Sequence, residues 1–482
     1  MRDVTVIGSG PNGLAAGLVA ARAGLRVRII EASDALGGGA RTDESLESGF
    51  LIDRGAAVHP MAVASPFFRW AGLSEAVDLI SPEISYGQAI HRGRAVVAYR
   101  SLDATAAGLG KGGRGWQALF RPLVERIDAL SRASLDSPLH LTSDTLALAR
   151  LGFRAVINGC APASQLRTTE ARALFAGVAA HSIGMSSTLA SSALGLVLGS
   201  HAHAAGWPIP RGGSQAITDF LLAELLRRGV EFVTSHRVRA LEEIESSVVF
   251  VSTTPQEFAR IAGERLSKQA IARLSRFRFG AAVAKLDATL DGPIPWSDSG
   301  LSAAGTVHVG GSASQVRESE RSVRDGVLPV RPFVLVAQPS AVDASRAPQG
   351  KHVLYAYAHV PHGWSGDVRS AVLARLEDHA PGLRDLVRVS RVTAPGDLAR
   401  ENSNLVGGDI SSGDTSLRQL VARPSLGPHP WRTKLPGVYL CSASTAPGPG
   451  VHGMAGFHAA ALALREHFGI SVPTTPAAEA PG

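Results

Sequence analysis

"DVTVIGSGPNGLAAGLVAARAGLRVRIIEAS", residues 3–33, decides the fold. Val4–Ile7 is a short, wholly apolar run of the kind a parallel sheet buries on both faces. It leads into Gly8, Gly10 and Gly13, spaced G-x-G-x-x-G. In that pattern the first glycine makes a tight turn, the second lets a pyrophosphate approach the backbone, and the third lets the next helix pack on the strand. Pro11 and Asn12 open a helix expected over 11–23, since a proline costs little where N–H groups have no helical partner. Gly24 stops it, residues 25–30 form a second strand, and Glu31 closes that strand. A carboxylate there accepts hydrogen bonds from ribose hydroxyls and repels a 2′-phosphate. Strand, turn, helix, strand and acid in register point to one dinucleotide-binding unit.

The same glycine spacing recurs twice. Around Gly108, Gly110 and Gly113 the preceding "SLDATAAG" is small and polar, so a loop ahead of a helix is expected there, with no nucleotide. The third copy, Gly448, Gly450 and Gly453 in "GPGVHGMAG", follows an apolar strand and precedes a helix, but no second strand with an acid comes after it. It cannot complete a dinucleotide unit. What it can offer is a helix N-terminus, with free N–H groups and a positive dipole end suited to one negative charge. One dinucleotide is therefore expected, held at the first turn and faced by the last.

Behind Glu31, "ASDALGGGARTDES" brings Gly38, Gly39, Arg41 and Thr42 together, and "GFLIDRGAAVHP" follows. Here the chain resembles flavoproteins of the two-dinucleotide-binding-domain type. "PIPRGGSQAITDFLLAELLRRGVEF" and "PGVYLCSASTAPGPGVHGMAGFHAAALAL" extend the resemblance to nearly the whole chain. It is a resemblance to the phytoene desaturase (carotenoid desaturase-like) family of FAD-dependent oxidoreductases, and more closely to the branch of pyridine nucleotide-disulfide oxidoreductase domain-containing protein 2. The resemblance implies an α/β fold: a Rossmann-like FAD-binding domain with an inserted α+β substrate domain. It implies that Val238 meets the adenine, and that Ser444, Gly450, Val451, His452, Gly453 and Met454 surround the flavin end. Where many relatives carry Gly-Asp or Gly-Glu for the ribityl chain, Ser442-Ala443-Ser444 stands here. The expected FAD domain is discontinuous, roughly 1–75, 205–260 and 400–470. A helix-rich insertion at 76–204 and a strand-bearing one at 261–399 form the substrate domain, and 471–482 a disordered tail.

Composition narrows the partners. Of 482 residues 45% are hydrophobic and 18% charged, as in a globular enzyme. The net charge of +7 comes from scattered arginines without a basic run, which argues against nucleic acid and leaves peripheral membrane contact open. Cys160 and Cys441 form no C-x-x-C, so neither thiol redox chemistry nor a metal site is expected. No apolar segment reaches the roughly 18–20 residues of a membrane span, and a cytoplasmic location is expected.

Hydride removal needs a substrate C–H held against the flavin in a dry pocket. His452 lies in the ring-facing turn, where it either contacts flavin or substrate or bonds the backbone at a helix start. Lys285 interrupts the apolar "AAVAKLDATL". It either alternates out to solvent or meets the flavin face, as a lysine does in amine oxidase relatives. His359, and less directly His308, Asp409 and His59, are further polar groups for the pocket wall. The leading expectation is a desaturase or dehydrogenase of a fairly apolar small molecule. An amine oxidase, an NAD(P)H-dependent reductase and a non-catalytic flavin-binding scaffold stand as alternatives, and the oligomeric state is open.

Overall fold

The computed structural model describes residues 3–139, 166–184 and 189–474. Cys160 and most of the expected tail lie outside the described residues. Two large sheets organise the chain. Their strands are β1 (Val4–Ile7), β2 (Val27–Ile30), β3 (Ile84–His91), β4 (Arg94–Tyr99), β5 (Glu231–Val233) and β6 (Val248–Val251). There follow β7 (Ala282–Leu290), β8 (Ala304–Val309), β9 (Val334–Ala337), β10 (His352–Val360), β11 (Val387–Thr393) and β12 (Val438–Leu440). The helices that matter for the site are α1 (Pro11–Arg22), α2 (Thr169–Ala179), α3 (Leu189–Ala204), α4 (Gln215–Leu226), α5 (Arg369–Glu377) and α6 (Met454–Ala463).

The first sheet runs β12-β6-β1-β2-β5, parallel throughout. β1 and β6 are buried along their length because α1, α4 and α6 cover one face with Leu14, Leu18, Leu221 and Leu462, and Phe258 and Ile261 of the helix Pro255–Ala262 cover the other. α1 and α6 cross so closely that a Cβ on Gly456 would sit 1.9 Å from the Asn12 carbonyl oxygen.

The second sheet runs β11-β7-β10-β9-β8-β3-β4, antiparallel except between β8 and β3. β7 alternates, as strands do. Ala284, Leu286 and Ala288 join a core with Val336, Leu354 and Leu376 of α5. Val283, Lys285 and Asp287 lie on the opposite face, which is also buried. That face meets the region roofed by α2 and α3.

One expectation is extended and one changes. The stretch 76–204, expected to be helix-rich, also supplies the hairpin β3–β4, turned by Gly93 at φ +71°. The expected loop before Gly113 is helix: Ser101 caps Leu102–Gly108, and a second helix spans Gly113–Val124. A Cβ on Gly113 would lie 2.1 Å from the Ala106 carbonyl oxygen, so that glycine serves helix–helix contact. Among the described residues no helix is long and apolar enough to cross a membrane.

Candidate active site

β1, β2, β6 and β12 end together, and Gly8, Glu31, Ser252 and Ser442, near their carboxyl ends, line a cavity of about 620 Å³. This is the edge at which open parallel sheets receive ligands. Gly8 leaves β1 at φ +98°, a conformation side chains disfavour. Gly13 stands behind the turn, where a Cβ would come 2.0 Å from the Gly8 carbonyl oxygen. Gly10 and Gly39 are different: a Cβ on either would meet no atom within 4 Å, so both present bare backbone to the cavity. Gly38, Pro11 and Asn12 complete this wall.

Glu31 is pinned at the rim. Its Oε2 accepts the Ser9 N–H and O–H at 2.8 Å each, and its Oε1 accepts the Ser33 N–H at 2.9 Å. Each carboxylate oxygen has two lone pairs, so Oε1 keeps acceptor capacity. Arg41 lines the same region, and its Nε, like Asn12 Oδ1, has no hydrogen-bond partner among the described residues. Bare backbone, a guanidinium and a carboxylate suit a diphosphate with its ribose. Val238 lines the cavity here, and Ser444, Gly450 and Val451 line it farther along. The Ser444 hydroxyl is committed to the Ser412 carbonyl at 2.8 Å.

Several expected site residues are placed elsewhere. Thr42 does not line the cavity; its hydroxyl donates to Asp53 Oδ1 at 2.6 Å and accepts the Gln215 N–H. His452 is 1% exposed and bonds backbone: its Nδ1 accepts the Met454 N–H at 3.0 Å, and its Nε2 lies 3.2 Å from the Gly448 carbonyl. Burial pushes its pKa down to about 4, so the ring is neutral. It caps α6 rather than meeting substrate, and it takes up a helix N–H group expected to be free. Gly453 and Met454 pack on Phe67, away from the cavity. His359 is likewise off the cavity, fully buried between Phe333 and Tyr357, with Nδ1 bonded to Glu320 at 2.6 Å.

Lys285 does not reach solvent. Alternation puts it on the polar face of β7, but that face floors the cavity. Nζ donates to the Asp53 carbonyl at 2.9 Å and to Asp287, and it lies 4.4 Å above the Tyr355 ring. Burial lowers the Lys285 pKa while Asp287 pulls it back up; burial raises that of Asp287. Behind them Asp53 pairs with Arg346 at 2.7 Å, both fully buried. His308 is buried near the far wall, Asp409 accepts the Gly280, Ser411 and Gly413 N–H groups, and His59 bonds Ser214.

Sequence reasoning missed Tyr355, Tyr357, Trp207, His181 and Thr306, all lining the cavity. The alternation of "HVLYAYAHV" carried a signal for the tyrosines; the others depend on tertiary contacts alone.

A family model described as flavin containing amine oxidoreductase matches residues 13–463. The phytoene dehydrogenase of Streptomyces griseus is 28% identical over 490 residues, covering 93% of this chain and 92% of that protein. Pyridine nucleotide-disulfide oxidoreductase domain-containing protein 2 of Mus musculus is 25% identical over 54% of this chain, and the match spans 51% of that protein's length. An oxidoreductase from Methanosarcina mazei shares the fold, with a TM-score of 0.60 at 16% identity over 94% of this chain and 98% of that one.

Proposed function

This chain belongs to the flavin containing amine oxidoreductase family; from that premise we propose that it is an FAD-dependent oxidoreductase that dehydrogenates a largely apolar small molecule. One observation carries the reading. Beyond Gly450 and Val451 the cavity is walled by Ile183, Leu194, Leu198, Trp207, Leu335 and Tyr357. The acids that line it are engaged: Glu31 by Ser9 and Ser33, Glu257 by Arg260, and Glu401 by Arg54. A cationic substrate would find no carboxylate in this apolar part of the described lining, whereas an apolar one exchanges water for hydrocarbon.

Gly8, Gly10, Gly38, Gly39, Glu31, Arg41 and Val238 would hold the dinucleotide, and Ser444, Gly450 and Val451 would lie along its flavin half. FAD supplies the hydride acceptor. The protein's own part is to exclude water and orient the C–H bond, which the apolar walls do. Lys285, fixed by Asp53 and Asp287, keeps a polar boundary between the two halves of the cavity. A cytoplasmic location and peripheral contact with a bilayer, the source of an apolar substrate, complete this reading.

A second reading has its own observation. Tyr355 and Tyr357, with ring centroids 6.2 Å apart, give the cavity the aromatic walls that the C-terminal segment lacks. Those walls favour an amine. Anaerobic mixing of the FAD-loaded protein with squalene, with primary amines and with NADPH separates the classes. Bleaching of the visible flavin band by the hydrocarbon is expected. Bleaching by amines alone would replace this reading with the second, and rapid bleaching by NADPH would indicate a reductase.

A further inference from the structure

We propose that the far wall of the substrate chamber is a hydroxyl-recognition site, built from His181 and Thr306 and backed by His308, for the polar end of an otherwise apolar substrate. The inference rests on the apolar-substrate reading above and specifies what that substrate carries.

The sheet register fixes the distance. Lys285, Tyr357, Leu335 and His308 stand opposite one another across β7, β10, β9 and β8. Three strand spacings separate Lys285 from His308, about 14 Å. The Lys285 end is tied to the dinucleotide segment through Asp53. Thr306, two residues before His308, shares its face and lines the chamber, as does His181. The polar wall is therefore remote from the reacting end.

At and behind that wall lie buried polar atoms without partners among the described residues: Thr306 Oγ1 in the lining, and Tyr86 Oη, Gln88 Oε1 and both ring nitrogens of His308 behind it. Thr306 is 1% exposed and His308 fully buried. Buried polar groups are nearly always hydrogen-bonded; of these only Thr306 lines the cavity, so its unpartnered hydroxyl is the one aimed at a ligand, with Tyr86, Gln88 and His308 packed behind it. α2 presses onto the cluster through Gly177, where a Cβ would lie 2.0 Å from Gln88 Oε1 and 2.7 Å from His308 Nδ1.

His181 sets the chemistry. Its Nδ1 lies 3.0 Å from the Val178 carbonyl, which can only accept, so Nδ1 carries the ring proton. Burial lowers the His181 pKa to about 4 and keeps the ring neutral. Nε2 is then a bare acceptor. His308 and Trp207, edge-on at 5.1 and 5.3 Å, hold the ring plane. A hydroxyl can donate to Nε2 and accept from the Thr306 O–H. An aldehyde or ketone satisfies Thr306 alone, a hydrocarbon neither, and a carboxylate would face a lone pair.

The test measures binding of 1-dodecanol, dodecanal and dodecane to the FAD-loaded protein by tryptophan fluorescence. Thr306→Val should weaken dodecanol and dodecanal about fivefold each, the worth of one net hydrogen bond. His181→Phe should weaken dodecanol alone. Dodecane should bind unchanged in both variants, which also shows that they are folded, and Thr306→Ser should restore the alcohol. If dodecane binds but the variants leave the alcohol-to-alkane ratio unmoved, the hydroxyl site is wrong and the apolar chamber stands. If dodecane fails to bind even the wild-type protein, the apolar reading falls and takes the site with it.

Discussion

Gly10 and Gly13, three residues apart in one turn, should respond to the same substitution in opposite ways. Gly10 has φ −63°, which alanine adopts freely, and no neighbour in reach of a Cβ. Gly10→Ala should therefore leave the stability of the FAD-free protein within about 0.5 kcal/mol. It should cost at least tenfold in FAD affinity, read by flavin titration, because its methyl occupies the approach to the backbone. Gly13→Ala instead collides with the Gly8 carbonyl and should destabilise the fold itself by about 1–3 kcal/mol. Lys285→Ala would leave Asp287 buried without its partner and should cost about 3–5 kcal/mol in urea unfolding. The double variant Lys285→Met with Asp287→Leu should cost clearly less. Equal losses would mean that the pair is not coupled. At this scale the first turn was legible because its demands are local: a backbone needs glycine where a side chain would clash. Lys285 and His452 were not. Whether an alternating strand position meets solvent or a cavity, and whether a histidine caps a helix or reaches outward, depends on chain segments far away in sequence.

The elements tell a similar story. β1, α1 and β2 were readable, with ends shifted by a residue or two, because apolar run, glycine turn and helix breaker lie within a single stretch. The hairpin β3–β4 was missed in a segment dominated by helical patterns, although Gly93 and the flanking Ile, Val and Tyr residues mark it. The glycines at 108–113 show the limit of a motif without context: Gly113 lets two helices touch, while a Cβ on Gly108 or Gly110 would meet nothing within 4 Å. Gly456 does the same for α1 and α6, and no spacing rule announces it. Gly456→Ala should separate those helices, and a lowered melting temperature together with loss of bound FAD is expected. An unchanged melting temperature would mean that the crossing tolerates a methyl group.

For the whole molecule, buried histidines govern the response to acid. Burial pushes the pKa values of His59, His181, His203 and His452 down to about 4, from 6.5 when exposed. Between those values the unfolded chain binds protons that the folded one refuses. Stability therefore falls as pH drops below about 6.5, by up to about 1.4 kcal/mol per pH unit for each histidine, and the loss is complete below about 4. Thermal unfolding should show a steep drop in melting temperature between about pH 7 and pH 5; a flat profile would mean that these rings protonate in the folded state. The two-sheet architecture follows from the same sequence patterns, but the chamber between sheet and helices does not. It arises where α2 and α3 roof a sheet face whose polar residues look solvent-exposed in the sequence. On the proposed reading a single FAD runs from the Gly10 turn to the Gly450 turn, and neither later glycine pattern holds a second nucleotide. The most direct test is the visible spectrum of the protein after incubation with FAD and removal of the excess, with the released cofactor identified and counted. One FAD per chain and no second nucleotide is the predicted result; no flavin bands, or a second nucleotide bound, would contradict it.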